Sequence, residues 1–544
     1  MRWFASLLIA AWVPGTGSIA ADVPLTAPLA AGRAIYLEGR LPSGKPLRAM
    51  RDGSAPLTGP AAACAQCHQR SGMGLAEGAV VVPPVTGPAL FGKQQPTGHV
   101  PRRAPGMAFQ DYPFRTRPSY DEDTLARAIR SGHASGGHIF NVLMPRYDLD
   151  DDAMKALIAY LRSLSASPSP GADARVAHFA TVVTPGVEPS RREAMLGVLR
   201  ACFAERYPEG VEGSSAEAGK DDRQAWRLHV WDLEGPPDAW EKQLAEKYAN
   251  QPVFALVSGL GADEWAPVEQ FCERQELPCL FPNAQPAVSS GTGRYSFYFS
   301  RGVWLEAEVF AQQLKASRVA TRPGRVVQLV GGEGLGQRAA SALEQALAET
   351  GMRVETWRLD KDAAGLSRLA VDDALVLWLT EGELAGLMRR HPSPPTVRDV
   401  LVSGLLAGME AAPLNPAWRK AAVLAYAFDP PGRWHLRMQR NLRPWLGKYG
   451  LSRVDERLQG NTLAACNLLA ESMLRLRGNT LRDYLVEWVE NYPSAMGNAP
   501  APQAYPRFSL GPGQRFSSKG AYLVRFVGPS GHRIEPLQEE WIIP

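Results

Sequence analysis

Cysteine is scarce: six in 544 residues, which excludes a small scaffold held together mainly by disulfides. A surplus of one charge is missing too. The 59 Lys+Arg stand against 55 Asp+Glu, a formal net charge of +4, so no polyanion-binding arm follows and no nucleic-acid partner is expected. Beyond the N-terminus no stretch of 18 consecutive apolar residues occurs, and the mature chain is expected to have no transmembrane segment. What is present is ordinary for globular protein, 45% hydrophobic and 21% charged, which excludes wholesale disorder. At about 100–200 residues per domain, this length predicts three or four compact units.

The chain opens with Met1-Arg2, a short apolar run from Trp3 to Val13, the breakers Pro14-Gly15, and the small residues Ser18-Ile19-Ala20-Ala21. Positive start, apolar middle and small-residue end make a secretory signal over residues 1–21; the run is too short to span a bilayer. Export to the periplasm is expected, an oxidising compartment, and that bears on each thiol.

Cys64-Ala65-Gln66-Cys67-His68 is the densest chemical signal. Two thiols at C-x-x-C spacing can form thioethers to the two vinyl groups of one haem, and the adjacent histidine is then held against the iron. A zinc site would need a second ligand pair at finger-like spacing, and none follows. A thioredoxin-like pair would sit at a strand-to-helix junction, whereas Gly59–Ala63 and Gln69–Gly74 read as loop. One covalent haem c, on Cys64 and Cys67 with His68 as an axial ligand to iron, is the expected cofactor. Candidates for the sixth iron ligand are Met107, His133, His138 and Met144. Met144-Pro145 stands just ahead of a helix predicted over Ala153 to Leu164, with Asp148, Asp150, Asp151 and Asp152 at its start and Arg162 near its end. His133 and His138 lie in a glycine-rich loop. Near the other end, Gly32-Arg33-Ala34-Ile35-Tyr36 reads as a short helix whose small residues allow another helix to approach closely.

In its order of N-terminal helix, C-x-x-C-H, loops, Met-Pro and C-terminal helix, the stretch from Pro24 to Leu164 resembles a class I cytochrome c domain. The resemblance implies an all-α fold over residues 22–164 and a distal methionine that maps onto Met144. Methionine ligation favours the ferrous state and suits an electron carrier.

Residues 165–174 are small, polar and proline-bearing, as a linker should be. From residue 175 to 544 strands and helices alternate. Strands are predicted over Val176–Val183, Val253–Ser258, Val326–Val330, Leu375–Leu379 and Val423–Ala427, and helices over Ser190–Tyr207 and Leu335–Glu349, which argues for parallel sheets in two lobes. Gly331–Gly336 follows a strand and opens a helix, but it lacks the G-x-G-x-x-G spacing of a dinucleotide site and reads as a tight turn. Four cysteines remain, with three possible pairings; Cys202 with Cys466 and Cys272 with Cys279 is the favoured set, and buried free thiols are the alternative.

The segments Ala255–Gly259, Leu277–Asn283, Arg325–Gly336 and Tyr505–Arg515 together resemble type I periplasmic binding proteins, receptors for branched-chain amino acids and amides. The resemblance implies two α/β lobes closing on a small ligand at strand C-termini. Mapped onto this chain, that places Ser258, Gly259, Asn283 and Gln285 on the first lobe and Thr380 and Glu381 on the second. Where such receptors carry a hydroxyl residue, Asn283-Ala284-Gln285 supplies amides, so an amino-acid ligand does not follow.

The expected protein is therefore a multidomain, periplasmic c-type cytochrome with a fused small-ligand-binding or docking domain. It passes single electrons to redox partner proteins, such as a periplasmic dehydrogenase. The alternative is a solute-binding transport or sensory receptor with an accessory haem domain. No Ser-His-Asp, Cys-His or metal-ligand constellation appears in residues 175–544, and the chain is expected not to be an enzyme, although haem enzyme activity stays open.

Overall fold

The computed structural model describes residues 26–51, 55–92, 97–104, 107–113, 117–206, 224–262, 264–286, 293–316, 323–496, 503–506, 508–528 and 533–544. The signal segment lies outside them. Among them no helix is long and apolar enough to cross a membrane.

The N-terminal body is framed by two crossing helices, Ala27–Glu38 and Asp151–Ser163. A Cβ on Gly32 would stand 2.1 Å from the Ala156 carbonyl oxygen and 2.6 Å from Tyr160 Cβ. Only a residue without one allows the crossing. The second helix is capped by Asp150, which accepts from the Ala153 amide at 2.8 Å, and it ends with Arg162, so both termini carry charge that suits the helix dipole. Ile35, Tyr36, Leu157, Ile158 and Leu161 form the core between them.

This body is only partly helical, which corrects the all-α expectation. A three-stranded antiparallel sheet runs in the order Leu57–Thr58, Arg48–Met50, Arg146–Tyr147. A second sheet runs Val80–Val82, Leu75–Glu77, Thr97–Ala104, Met107–Pro113. The hairpin of residues 97–113 is the insertion that makes the interval between His68 and Met144 long.

The rest of the chain forms two α/β lobes. The first holds five parallel strands in the order Ser296–Phe297, Cys279–Leu280, Ala255–Val257, Val176–Val183, Ala225–Asp232. The second holds seven, in the order Arg353–Arg358, Arg325–Val330, Ala374–Trp378, Asp399–Val402, Ala422–Tyr426, Tyr522–Val527, Arg533–Pro536. The first five of these are parallel and the last two antiparallel. The inner parallel strands are buried on both faces, which explains their continuous apolar runs, as in Val326, Val327, Leu329 and Val330.

The chain crosses between lobes three times. After the fifth strand of the second sheet it returns to the first lobe with helix Glu456–Leu476, which packs on helix Pro189–Arg206 and is bonded to it by Cys202–Cys466. Helix Arg482–Met496 follows, and the last two strands then close the second sheet. Arg482 staples the connection near residue 170 to the first lobe. Its guanidinium donates to the carbonyls of Pro170, Val253, Phe254 and Gln275 and to Tyr248 Oη, all within 3.2 Å.

Cys272 and Cys279 are free buried thiols here, so the expected bridge between them is not formed. Both lie in the apolar core of the first lobe, where burial and the neighbouring Cys279 thiol push Cys272 well above the usual thiol range and keep it protonated.

Candidate haem and ligand sites

Cys64 caps the short helix Ala65–His68, which places Cys64, Cys67 and His68 on successive corners of one turn. His68 is 7% exposed, and burial lowers its basicity, leaving the neutral imidazole that a metal needs. Its Nδ1 lies 2.9 Å from the Pro83 carbonyl oxygen. A carbonyl can only accept, so Nδ1 carries the proton and Nε2 keeps its lone pair for a ligand. Burial pushes the Cys64 thiol up to about 12, with Tyr147 hydrogen-bonded beside it.

Met144 packs against the same core cluster as Cys64, at the entrance to strand Arg146–Tyr147. The segment before it exposes Ile139, Val142 and Leu143, each more than 45% accessible, an apolar edge with no protein cover. Arg51 Nε, in the neighbourhood of Tyr147, is buried without a partner among the described residues. Two unbridged thiols, a neutral histidine with a free Nε2, a thioether and an orphaned guanidinium nitrogen suit a covalently held haem. Cys64 and Cys67 would attach it, and His68 and Met144 would ligate its iron; the bound group would supply one-electron chemistry.

The other candidates for the sixth position make local contacts of their own. His133 is exposed, with Nδ1 3.0 Å from Ser131 Oγ, and His138 lies edge-on to Phe140. Met107 falls on strand Met107–Pro113, where only the backbone is described.

At the first lobe's strand ends, Ser258 and Asn283 do meet, Asn283 Nδ2 donating to Ser258 Oγ at 3.2 Å. Both also bond to Thr462 on the returning helix, and Asn461 donates to Asn283 Oδ1 at 3.2 Å. Their polar groups are engaged with one another. Gly259 is buried at φ +127° against Trp265. Gln285 Oε1 accepts from the Val303 amide at 3.3 Å. Thr380 and Glu381 are exposed at the start of helix Glu381–Arg390, where Thr380 forms a capping box with Glu383.

The seam between lobes is packed with rings. Phe281 and Phe299 lie 4.8 Å apart, Phe299 stacks on Tyr505 at 5.5 Å, and Tyr505 meets Phe428 at 4.7 Å. One apolar cluster therefore runs through both lobes.

An open cavity of about 1140 Å³ adjoins this seam. Ser190 and Arg191 line it from the first lobe, and Glu410, Trp434, His435 and Arg457 line it elsewhere. Arg457 donates to both Glu410 oxygens at 2.6 Å and to Tyr426 Oη at 3.1 Å, and its guanidinium lies 5.4 Å from the Trp434 ring centre. Sequence reasoning missed this cavity, because its walls come from five separated segments and no local pattern joins them. It also missed the Pro83 carbonyl, 15 residues from the histidine it orients.

Residues 61–165 match the family model described as cytochrome c. The comparison with curated proteins found no match. Among solved structures, the chain is similar to type I periplasmic binding proteins. One is a possible leucine/isoleucine/valine-binding protein from Rhodopirellula baltica, at 14% identity and TM-score 0.48, covering 68% of this chain and 98% of that one. A branched-chain amino acid ABC transporter protein from Thermus thermophilus with bound valine has 13% identity and TM-score 0.49, covering 69% and 98%. A fatty acid ABC transporter substrate-binding protein from Thermomonospora curvata has 15% identity and TM-score 0.48, covering 70% and 95%.

Proposed function

We propose that this chain is an exported, periplasmic electron carrier holding one haem c, with a fused two-lobed body that binds a small molecule and docks redox partners. The observation that carries the reading is the His68 geometry: a buried, neutral imidazole directly after the second of two free thiols, its Nδ1–H fixed on Pro83 and its Nε2 left to coordinate. Met144 completes the set as the distal ligand. The chain's own part is to hold these ligands, cover the haem and leave one edge near Ile139–Leu143 for electron exchange.

In the second body the strand-end residues are engaged with one another, and the open volume of the seam cavity makes it the seat for a ligand. There Arg191 is paired with Asp455 and Arg457 with Glu410, so a ligand would lie on the Trp434 face and have to compete for those ion pairs. A redox titration of the purified full chain, with and without candidate carboxylates, amides and alcohols, tests the pairing of functions. A low-spin spectrum, and a potential that moves with a ligand that also raises thermal stability, are expected. Met144→Ala should give a high-spin spectrum; an unchanged low-spin ferrous spectrum would remove Met144 from the ligand set. A stable chain that answers no compound would leave the second body as a docking scaffold.

A further inference from the structure

The haem-attachment motif runs directly into a contact with the second body. Arg70, two residues past His68, donates to Glu276 at 2.7 Å and to Asp483 at 3.1 Å. Next to it, Ser71 donates twice to one carboxylate: its amide to Glu487 Oε1 at 2.9 Å and its hydroxyl to Glu487 Oε2 at 2.6 Å. These partners are separated by 416 residues, and Ser71 is 2% and Glu487 4% exposed.

Ser71 sits at the middle of a closed loop. The Gly74 amide donates to the His68 carbonyl at 3.0 Å, and the Val85 amide donates to the Gly72 carbonyl at 2.8 Å, which ties in the segment bearing Pro83. His68, its Pro83 acceptor and Ser71 thus belong to one hydrogen-bonded unit, and Glu487 grips that unit from the other body. Glu487 lies on helix Arg482–Met496. A turn further on, Glu490 takes Arg515 at 2.8 Å, with both side chains about 5% exposed. The Arg515 carbonyl in turn accepts from the Tyr298 amide, close to where the chain leaves the first lobe. One helix therefore holds both the haem loop and a crossing between lobes.

We infer that Glu487 is a positioning residue for the haem: it fixes the loop of residues 68–74, and with it the His68 imidazole, so that the receptor-like body helps to set the haem's reduction potential. The inference rests on the haem reading of Cys64–His68. A firm Nδ1–H···O=C bond lends the imidazole anionic character and favours ferric iron. Releasing Ser71 loosens the unit that holds that bond, which shifts the balance toward ferrous iron. Without the two Ser71 donors, buried Glu487 would keep Arg294, at 3.9 Å, as its ion-pair partner.

The test uses the full holo-chain. Covalent haem is first quantified on denatured wild-type protein, so that failure of the haem reading shows before any titration. Potentials are then measured against a fixed reference couple for wild type, Glu487→Ala, Glu487→Gln and Ser71→Ala. Glu306→Gln serves as the control, a fully buried carboxyl in the second lobe bonded to Ser403 and the Leu405 amide. Glu487→Ala should favour reduction by at least threefold in the equilibrium constant, and Ser71→Ala by at least twofold in the same direction. Glu487→Gln, which keeps an acceptor, should fall between wild type and the alanine variant, and the control should not move. Should Glu487→Ala fail to fold, Ser71→Ala decides alone. A change below twofold in Ser71→Ala, a shift toward the ferric state, or an equal shift in the control would overturn the inference.

Discussion

Replacing Gly32 by alanine sets two effects of opposite sign against each other. In an exposed helix the change should stabilise by about 1 kcal/mol, since glycine is the poorer helix former. Here the new methyl would stand 2.1 Å from the Ala156 carbonyl oxygen and 2.6 Å from Tyr160 Cβ, more than an ångström inside ordinary contact with the first of these. The obstacle is the partner helix's backbone, which cannot rotate aside, so the helices must part. Overpacking of this kind costs roughly 1–3 kcal/mol, and a backbone obstacle puts the cost at the upper end. The expected net result is a loss of about 1–2 kcal/mol after the propensity gain. Urea unfolding of the holo-chain, followed through haem absorbance, reads this body directly. Gly447→Ala, on helix Arg443–Lys448 with nothing within 4 Å of a Cβ, is the control and should be neutral or stabilising. A Gly32→Ala variant as stable as wild type would refute the close crossing.

Removing Cys202–Cys466 by a double serine substitution opens a link of sequence separation 264 and should cost at most about 5.6 kcal/mol by chain entropy; thiol titration of unfolded, unreduced apo-protein should find two thiols besides the haem cysteines, Cys272 and Cys279. Arg482→Met leaves four carbonyls without their donor and should destabilise by about 3 kcal/mol or more, with proteolysis appearing first in residues 165–174. Glu306 is faced by Ser403, the amides of Gly404 and Leu405, and Tyr505, and burial raises it to about 8. The native state therefore holds a proton that the unfolded chain releases near pH 4.5, so this group's contribution is full below that pH and is lost as pH rises toward 8. Glu306→Gln should flatten the decline in stability over that window, and an unchanged slope would reject the assignment.

The sequence patterns that were legible are those with a local physical cause. Strands such as Arg325–Val330 are buried on both faces and read as unbroken apolar runs, and the acidic start of helix Asp151–Ser163 announces its own cap. The helix crossing at Gly32 was legible for the same reason, since a run of small residues, Ala30-Ala31-Gly32 with Ala34, lets another helix approach closely. The hairpin of residues 97–113 was not, because Thr97-Gly98-His99-Val100-Pro101-Arg102-Arg103-Ala104 shows neither alternation nor an apolar run, and its pairing is made by backbone. The strand-end residues Ser258 and Asn283 could be placed at a sheet edge, but their engagement by Thr462 depends on a helix that returns some 180–200 residues later. The contact between Ser71 and Glu487 is of the same kind: a serine in a loop and a glutamate on a helix carry no mark of each other.

The most direct test of the account is the intact mass of the mature chain, purified from a host competent for cytochrome c assembly and measured under denaturing conditions beside its visible spectrum. The account predicts the mass of the mature chain plus one haem, retained through denaturation, and loss of covalent attachment when Cys64 and Cys67 are both replaced by serine. A chain whose haem extracts on unfolding, or which carries none while folded, would contradict it.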